Sequence, residues 1–166
     1  LPRRSPTCQT ETVPQVLFVH HTVSPPLDEL FSTAVSSCRH AASELGVNLD
    51  LRTRPALAAS ATDVFAADAI LLGSPVNIGY MSGALKHFFD QVYYPCLHES
   101  IGLPVGYFLH GNSDAAAATR AVDTIISALR WAPVGPPLLV TSGVGKDSRE
   151  QLSELCGQVV YSASQR

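Results

Sequence analysis

The chain has 166 residues, of which 46% are hydrophobic and 15% are charged, so it can bury a core and is excluded from the class of disordered chains. Its formal net charge of −3 excludes a basic field for nucleic acid. The same weak charge argues against an acidic carrier that docks on basic proteins, so we expect a small-molecule partner.

The first elements follow a polar stretch with three prolines, residues 1–14, which we expect to be a flexible lead-in. The remainder, residues 15–166, is predicted to be a single domain. Gln15–His20 reads as a buried strand, and apolar residues at helical spacing across 27–45 predict the first helix. Residues 47–53 alternate apolar and polar side chains, which is typical of a strand at a sheet edge.

The alternation of strands and helices continues to the end of the chain. An alanine-rich helix is predicted at 56–67, and a strand at 69–74 that Gly73, Ser74 and Pro75 should stop. Further helices are predicted at 82–94 with Ser82 as N-cap, at 113–130, and at 147–162 with Asp147 and Glu150 as a capping box; further strands are predicted at Pro104–His110 and 136–141.

This alternation predicts an α/β fold, a doubly wound five-stranded parallel sheet of order 2-1-3-4-5 with helices on both faces. Ligands of such sheets bind at the carboxyl ends of the strands, at the switch point between the first and third strands. We therefore expect three loops to meet there, at residues 21–26, 74–80 and 110–114.

The second of these loops carries groups suited to a flat heterocycle. Gly79 lets the backbone approach a ring closely, and Pro75 restricts the turn. Asn77 offers an amide with donors and an acceptor, while Ile78 and Tyr80 offer apolar and aromatic contact. A tight strand-to-helix loop that binds nothing is the alternative that these residue types leave open.

Residues 69–91 resemble the isoalloxazine-binding loop of the flavodoxin-like flavoproteins, in the branch of NAD(P)H-dependent FMN reductases and quinone oxidoreductases. The matching positions are Gly73, Ser74, Pro75, Gly79, Met81, Leu85, Lys86, Phe88 and Asp90. The resemblance implies a flavodoxin-like fold, FMN as cofactor, NADH or NADPH as electron donor, and a quinone, flavin or similar small acceptor. It also implies a homodimer or a homotetramer as an alternative to a monomer.

From the resemblance we expect FMN contacts in all three loops. The expected contacts are His21, Thr22, Ser24 and Leu27 in the first loop, Ser74, Pro75, Val76, Asn77, Ile78, Gly79 and Tyr80 in the second, and His110, Gly111, Asn112 and Asp114 in the third. No side chain need be a covalent catalyst. His110 is a candidate proton donor to a quinone-like acceptor, and Ser113 or Asp114 alternatively caps the following helix.

The first loop departs from the family pattern, in which a hydroxyl- and glycine-rich turn cradles the FMN phosphate. With Ser24 as N-cap, Pro25 falls at N1 and Pro26 at N2, where a proline removes a donor. Asp28 and Glu29 compete with a dianion for the positive end of the helix dipole. A capped helix that binds no phosphate is therefore the alternative for this loop.

Other sites receive no support from residue spacing. The histidines His20, His21 and His110 do not follow a metal-ligand pattern, so no metal is predicted. Four scattered cysteines without a CxxC pair are typical of free thiols in a reducing compartment. No stretch approaches about 18 apolar residues and no signal core is found, so we expect a cytoplasmic protein without a membrane span.

Two other functions remain open at this stage. A flavodoxin-type electron carrier would share the fold, but the weak net charge argues against it. A flavodoxin-like domain that has lost FMN and acts through protein contacts is favoured by Pro25 and Pro26 alone. We expect an FMN-binding oxidoreductase.

Overall fold

Strands and helices alternate along the residues that the structure describes, 13–112 and 115–166 of a computed structural model. The strands are β1 (Gln15–His20), β2 (Asp50–Pro55), β3 (Ala69–Asn77), β4 (Tyr80–Met81), β5 (Pro104–His110), β6 (Ala132–Pro133) and β7 (Leu138–Val140). The helices are α1 (Pro25–Leu45), α2 (Ala61–Ala66), α3 (Gly83–Cys96), α4 (Ala116–Leu129) and α5 (Lys146–Ser164). Most of the predicted lead-in lies outside the described residues.

The parallel sheet has the predicted order. β2 pairs with β1, β1 with β3, and β3 with β5, all in parallel. β6 and β7 pair with successive parts of β5 and together occupy the fifth position. The short strand β4 is an addition that the sequence analysis did not predict, and it pairs antiparallel with β3.

Each face of the sheet is covered by helices. One apolar layer joins the sheet to α1 and α5, and the other joins it to α2, α3 and α4. Along β3, Ala69 and Leu71 enter the first layer, while Ile70 and Leu72 enter the second. Because successive side chains of a strand point to opposite faces, a strand buried on both sides needs the continuous apolar run that predicted it.

Several predictions about element ends are wrong. The second helix begins at Ala61 rather than at residue 56. The second strand begins at Asp50 rather than at residue 47, because the pairing with β1 starts at Gln15 and Asp50. The third strand does not stop at Gly73, Ser74 and Pro75 but continues to Asn77. The capping box of α5 is not formed by Asp147 and Glu150, since its N-cap is Gly145, whose N–H donates to Ser148 Oγ at 2.9 Å.

The extension of β3 past Pro75 has a simple cause. β1 ends where His20 pairs with Gly73, so beyond this point β3 has a neighbour only on the β5 side of the parallel sheet. A strand with one free side tolerates a proline, which lacks a backbone donor. Pro75 pairs with His110 of β5 in this way.

Candidate functional site

The three predicted loops meet at the carboxyl edge of the sheet. The N–H of His21 donates to Gly73 O at 2.9 Å, which joins the first loop to β3. His110, at the start of the third loop, pairs with Pro75. A further loop that the sequence analysis did not consider lies at the same edge, because Ala56 N–H donates to His20 O at 2.8 Å. Its position follows from β2 being parallel to β1.

The second loop is a β-hairpin tip. Ile78 and Gly79 have φ angles of 53° and 69°, and positive φ at both central residues is typical of a type I′ turn. A β-branched residue is strained at positive φ. The side chains of Ile78 and Tyr80 are 106% and 43% exposed, and Asn77 is also exposed. The tip therefore offers an amide and two apolar groups above the sheet edge.

Ser74 lies beneath this tip and has no exposed surface. Its Oγ donates to Pro75 O at 2.9 Å and lies 3.1 Å from Ser82 Oγ, and Ser82 N–H donates to it at 3.3 Å. Ser82 in turn is the N-cap of α3 as predicted, accepting from Leu85 N–H. The hydroxyl of Ser74 is therefore used to join the hairpin to α3, although we expected it to contact the cofactor.

The third loop packs closely against the hairpin. A Cβ added at Gly111 would lie 2.8 Å from Val76 Cβ, so this contact requires glycine. Gly111 N–H donates to Val140 O at 3.0 Å, which removes it as a donor to a ligand. His110 is half-buried and Asn112 is exposed, whereas Ser113 and Asp114 lie outside the described residues.

The first loop leads into α1 as the sequence predicts, with Ser24 as N-cap and prolines at N1 and N2. The side chain of Ser24 makes no capping hydrogen bond. Thr22 Oγ1 lies 2.9 Å from His20 Nδ1, so the two side chains are paired. Leu27 is only 2% exposed and belongs to the apolar layer under α1, so its side chain is not offered to a ligand.

Two adjacent histidines, His20 at the end of β1 and His21 directly after it, have different surroundings. Burial lowers the pKa of His20, and the neighbouring His21 lowers it further. The His20 ring packs against Phe31, with 4.5 Å between ring centroids. Among the described residues, His21 Nδ1 is the single buried side-chain nitrogen or oxygen without a hydrogen-bond partner. A buried polar atom of this kind is costly unless a bound group satisfies it, which is a property of ligand sites.

The two halves of the edge differ in how they would fit FMN. The hairpin tip, with its exposed amide and apolar side chains, fits a flat amphipathic ring. The first turn of α1 does not fit a phosphate equally well, since prolines occupy N1 and N2. In the described part of the chain, no group of three or more His, Cys, Asp or Glu residues could hold a metal ion.

Two further observations concern the cysteines and the helices of the described residues. Cys38, Cys96 and Cys156 are free and buried, and burial raises the pKa of the Cys96 thiol to about 11; Cys8 lies outside the described residues. Among the helices in the described ranges, none combines the length and the apolar character needed to cross a membrane.

Comparison with known proteins identifies one family. The family model for the NADPH-dependent FMN reductases matches residues 33–145, which is more than half of the chain. The matched residues begin within α1, after the first loop. No curated protein sequence matches the chain.

Solved structures share the fold at low sequence identity. An oxidoreductase from Corynebacterium diphtheriae has a TM-score of 0.77 and 14% identity, covering 93% of this chain and 98% of that chain. An archaeal flavodoxin has a TM-score of 0.72 and 13% identity, covering 90% and 98%. Rubredoxin oxygen:oxidoreductase from Desulfovibrio gigas has a TM-score of 0.74 and 13% identity, covering 92% of this chain and 37% of that chain. These similarities confirm the predicted flavodoxin-like fold.

Proposed function

Because the chain belongs to the NADPH-dependent FMN reductase family, we propose that it is a flavin oxidoreductase that passes electrons from NADPH or NADH to a small acceptor such as a quinone or a flavin. The observation that carries this proposal is the hairpin tip of residues 77–80, which presents an amide and two apolar side chains at the switch point of the sheet. The hairpin tip lies within residues 33–145, which the family model matches.

In this proposal the flavin supplies the hydride chemistry, and the protein supplies orientation and surroundings. The amide of Asn77 would bind the polar edge of the ring, and Ile78 and Tyr80 would contact its apolar part. His110, half-buried beside the hairpin, would be the proton donor to the acceptor.

The composition of the loops favours a reductase over an electron carrier. A nicotinamide must stack on an uncovered face of the flavin for hydride transfer, whereas a carrier covers both faces with aromatic side chains. Tyr80 is the single Phe, Tyr or Trp residue in the described parts of the three loops. One face of the ring is therefore left open to the nucleotide.

The proposal is tested by anaerobic reduction of the protein loaded with flavin. We expect NADPH or NADH to bleach the flavin absorbance and a quinone to restore it. A flavin that stays oxidised in the presence of both nucleotides would refute the reductase function, and stable one-electron reduction by dithionite would then favour the carrier. No quenching of FMN fluorescence at high micromolar concentrations would favour a domain that acts through protein contacts.

A matched pair of variants tests the site itself. Asn77→Ala should weaken flavin binding about tenfold, since it removes a hydrogen-bonding group from the exposed tip. Asn48→Ala removes the same exposed amide between α1 and β2 and should leave binding unchanged. Equal affinities of the two variants would remove Asn77 from the site. A homodimer or homotetramer stays a prediction, which light scattering of the purified protein would test.

A further inference from the structure

We propose that the flavin site binds riboflavin and FMN with similar affinity, because the first turn of α1 gives little to a phosphate. This inference rests on the proposed function. It specifies the ligand class as flavins both with and without a phosphate. It follows from the donors, the charges and the side-chain pairing around the first loop.

The first turn of α1 has lost most of the donors that bind an anion at a helix start. Prolines at N1 and N2 have no N–H, and Asp28 N–H donates to Ser24 O at 2.9 Å. Thr22 Oγ1 is paired with His20 Nδ1, and His21 Nδ1 is the one buried side-chain polar atom among the described residues that has no partner. In the described structure this loop retains the Ser24 hydroxyl, the N–H of Leu27 and the backbone N–H groups of residues 22–24, so what the prolines remove is the pair of donors at the first two helical positions.

The charges around this turn are also unfavourable for a dianion. The side chains of Asp28 and Glu29 are both exposed in the first turns of α1. The guanidinium of Arg149 on α5 lies 2.6 Å from Glu29 Oε1 through Nη2, so this cation is already paired with a carboxylate. Burial lowers the pKa of His20, so its ring carries little positive charge at neutral pH. The cation that the described residues place against this turn, Arg149, is therefore engaged by a carboxylate and does not add to the helix dipole as a free charge.

The ring and the phosphate would thus lie against separate parts of the chain. The hairpin tip that would hold the ring lies within the residues matched by the family model, whereas the first loop lies before them. A ligand that keeps the ring and lacks the phosphate loses nothing at the hairpin. Riboflavin is such a ligand.

Titration of the apoprotein with FMN and with riboflavin, followed by flavin fluorescence, measures directly how much the phosphate contributes to the binding affinity. We expect dissociation constants within about threefold of each other, whereas one charge-assisted hydrogen bond changes affinity by about ten- to a hundredfold. A double variant, Pro25→Ala with Pro26→Ala, restores two donors. It should bind FMN at least about tenfold more tightly than riboflavin, with riboflavin binding unchanged.

Pro95→Ala is the matched control, because Pro95 lies near the carboxyl end of α3, away from the loops. Its ratio of affinities should equal that of the original protein. A wild-type preference for FMN above about threefold overturns the proposal, and so does an unchanged ratio in the double variant. The single variant Pro26→Ala provides the same test if the double variant does not fold. If neither flavin binds the original protein, the proposed function itself fails. If both flavins bind but FMN is preferred, this inference alone fails.

Discussion

Replacing Ser74 by alanine tests whether the contact between the hairpin and α3 sets the position of the flavin-binding tip. Ser74 is fully buried, and its Oγ lies 2.9 Å from Pro75 O, 3.1 Å from Ser82 Oγ and 3.3 Å from Ser82 N. The variant removes all three contacts at once. It leaves the backbone N–H of Ser82 buried without this acceptor.

A buried donor left unpaired costs about 1 to 3 kcal/mol. We therefore expect the free energy of unfolding to fall by about 2 kcal/mol, which lowers Tm by about 4 to 8 °C in a domain of this size. Flavin affinity should fall about tenfold, equivalent to about 1.4 kcal/mol, because the hairpin tip is no longer held in one position. Urea denaturation measures the first effect, and fluorescence titration with FMN measures the second.

Ser100→Ala is the control that separates stability from position. Ser100 is also buried, donates to Cys96 O at 2.7 Å, and accepts from Trp131 Nε1 at 2.7 Å. It precedes β5 and so lies at the opposite edge of the sheet from the loops. It should lose a similar amount of stability without a change in flavin affinity. If both variants bind FMN equally well, Ser74 has no positioning role and the reasoning fails.

Three further predictions concern the same edge. Ile78→Gly removes the strain at φ 53° and should raise the free energy of unfolding by about 1 kcal/mol while weakening flavin binding; unchanged binding would exclude Ile78 from the site. Burial lowers the pKa of His20 in the folded protein, so the unfolded chain binds more protons than the folded one as the pH falls below about 6.5. The free energy of unfolding should therefore fall on acidification. The urea midpoint of His20→Gln should depend less on pH than that of the original protein. Gly73→Ala would push a Cβ into the Phe108 ring and cost about 1 to 3 kcal/mol, part of which Phe108→Leu should restore in a double-mutant cycle; purely additive losses would contradict this contact.

The strands of the sheet could be predicted from the sequence because the apolar pattern of a strand reflects its burial, and their alternation with helices indicated the doubly wound order. β3 is apolar at every position from Ala69 to Leu72, and the structure buries both of its faces. The sequence predicts β2 as an edge strand, and among the described strands it pairs only with β1; its residues are partly buried or exposed rather than fully buried. These patterns depend on local burial, which a single sequence records.

The hairpin could not be predicted, for two physical reasons. A type I′ turn usually carries Asn, Asp or Gly at its first central position, and Ile78 gives no such signal. Gly73, Ser74 and Pro75 resemble a stop signal, but Pro75 is tolerated because β1 has already ended beside it. The role of Ser74 depends in turn on this hairpin, which brings Ser82 back to within hydrogen-bond distance.

One strand therefore positions the ring-binding part of the site. β3 receives His21 through the carbonyl of Gly73, contacts Gly111 through Val76, and is joined to the start of α3 through Ser74. None of these three contacts involves the first turn of α1, where a phosphate would lie. Changes to Ser74 and to the α1 prolines should therefore alter flavin affinity independently, and their effects should add within about 0.5 kcal/mol when combined. A larger coupling would mean that the first loop and the hairpin tip move together.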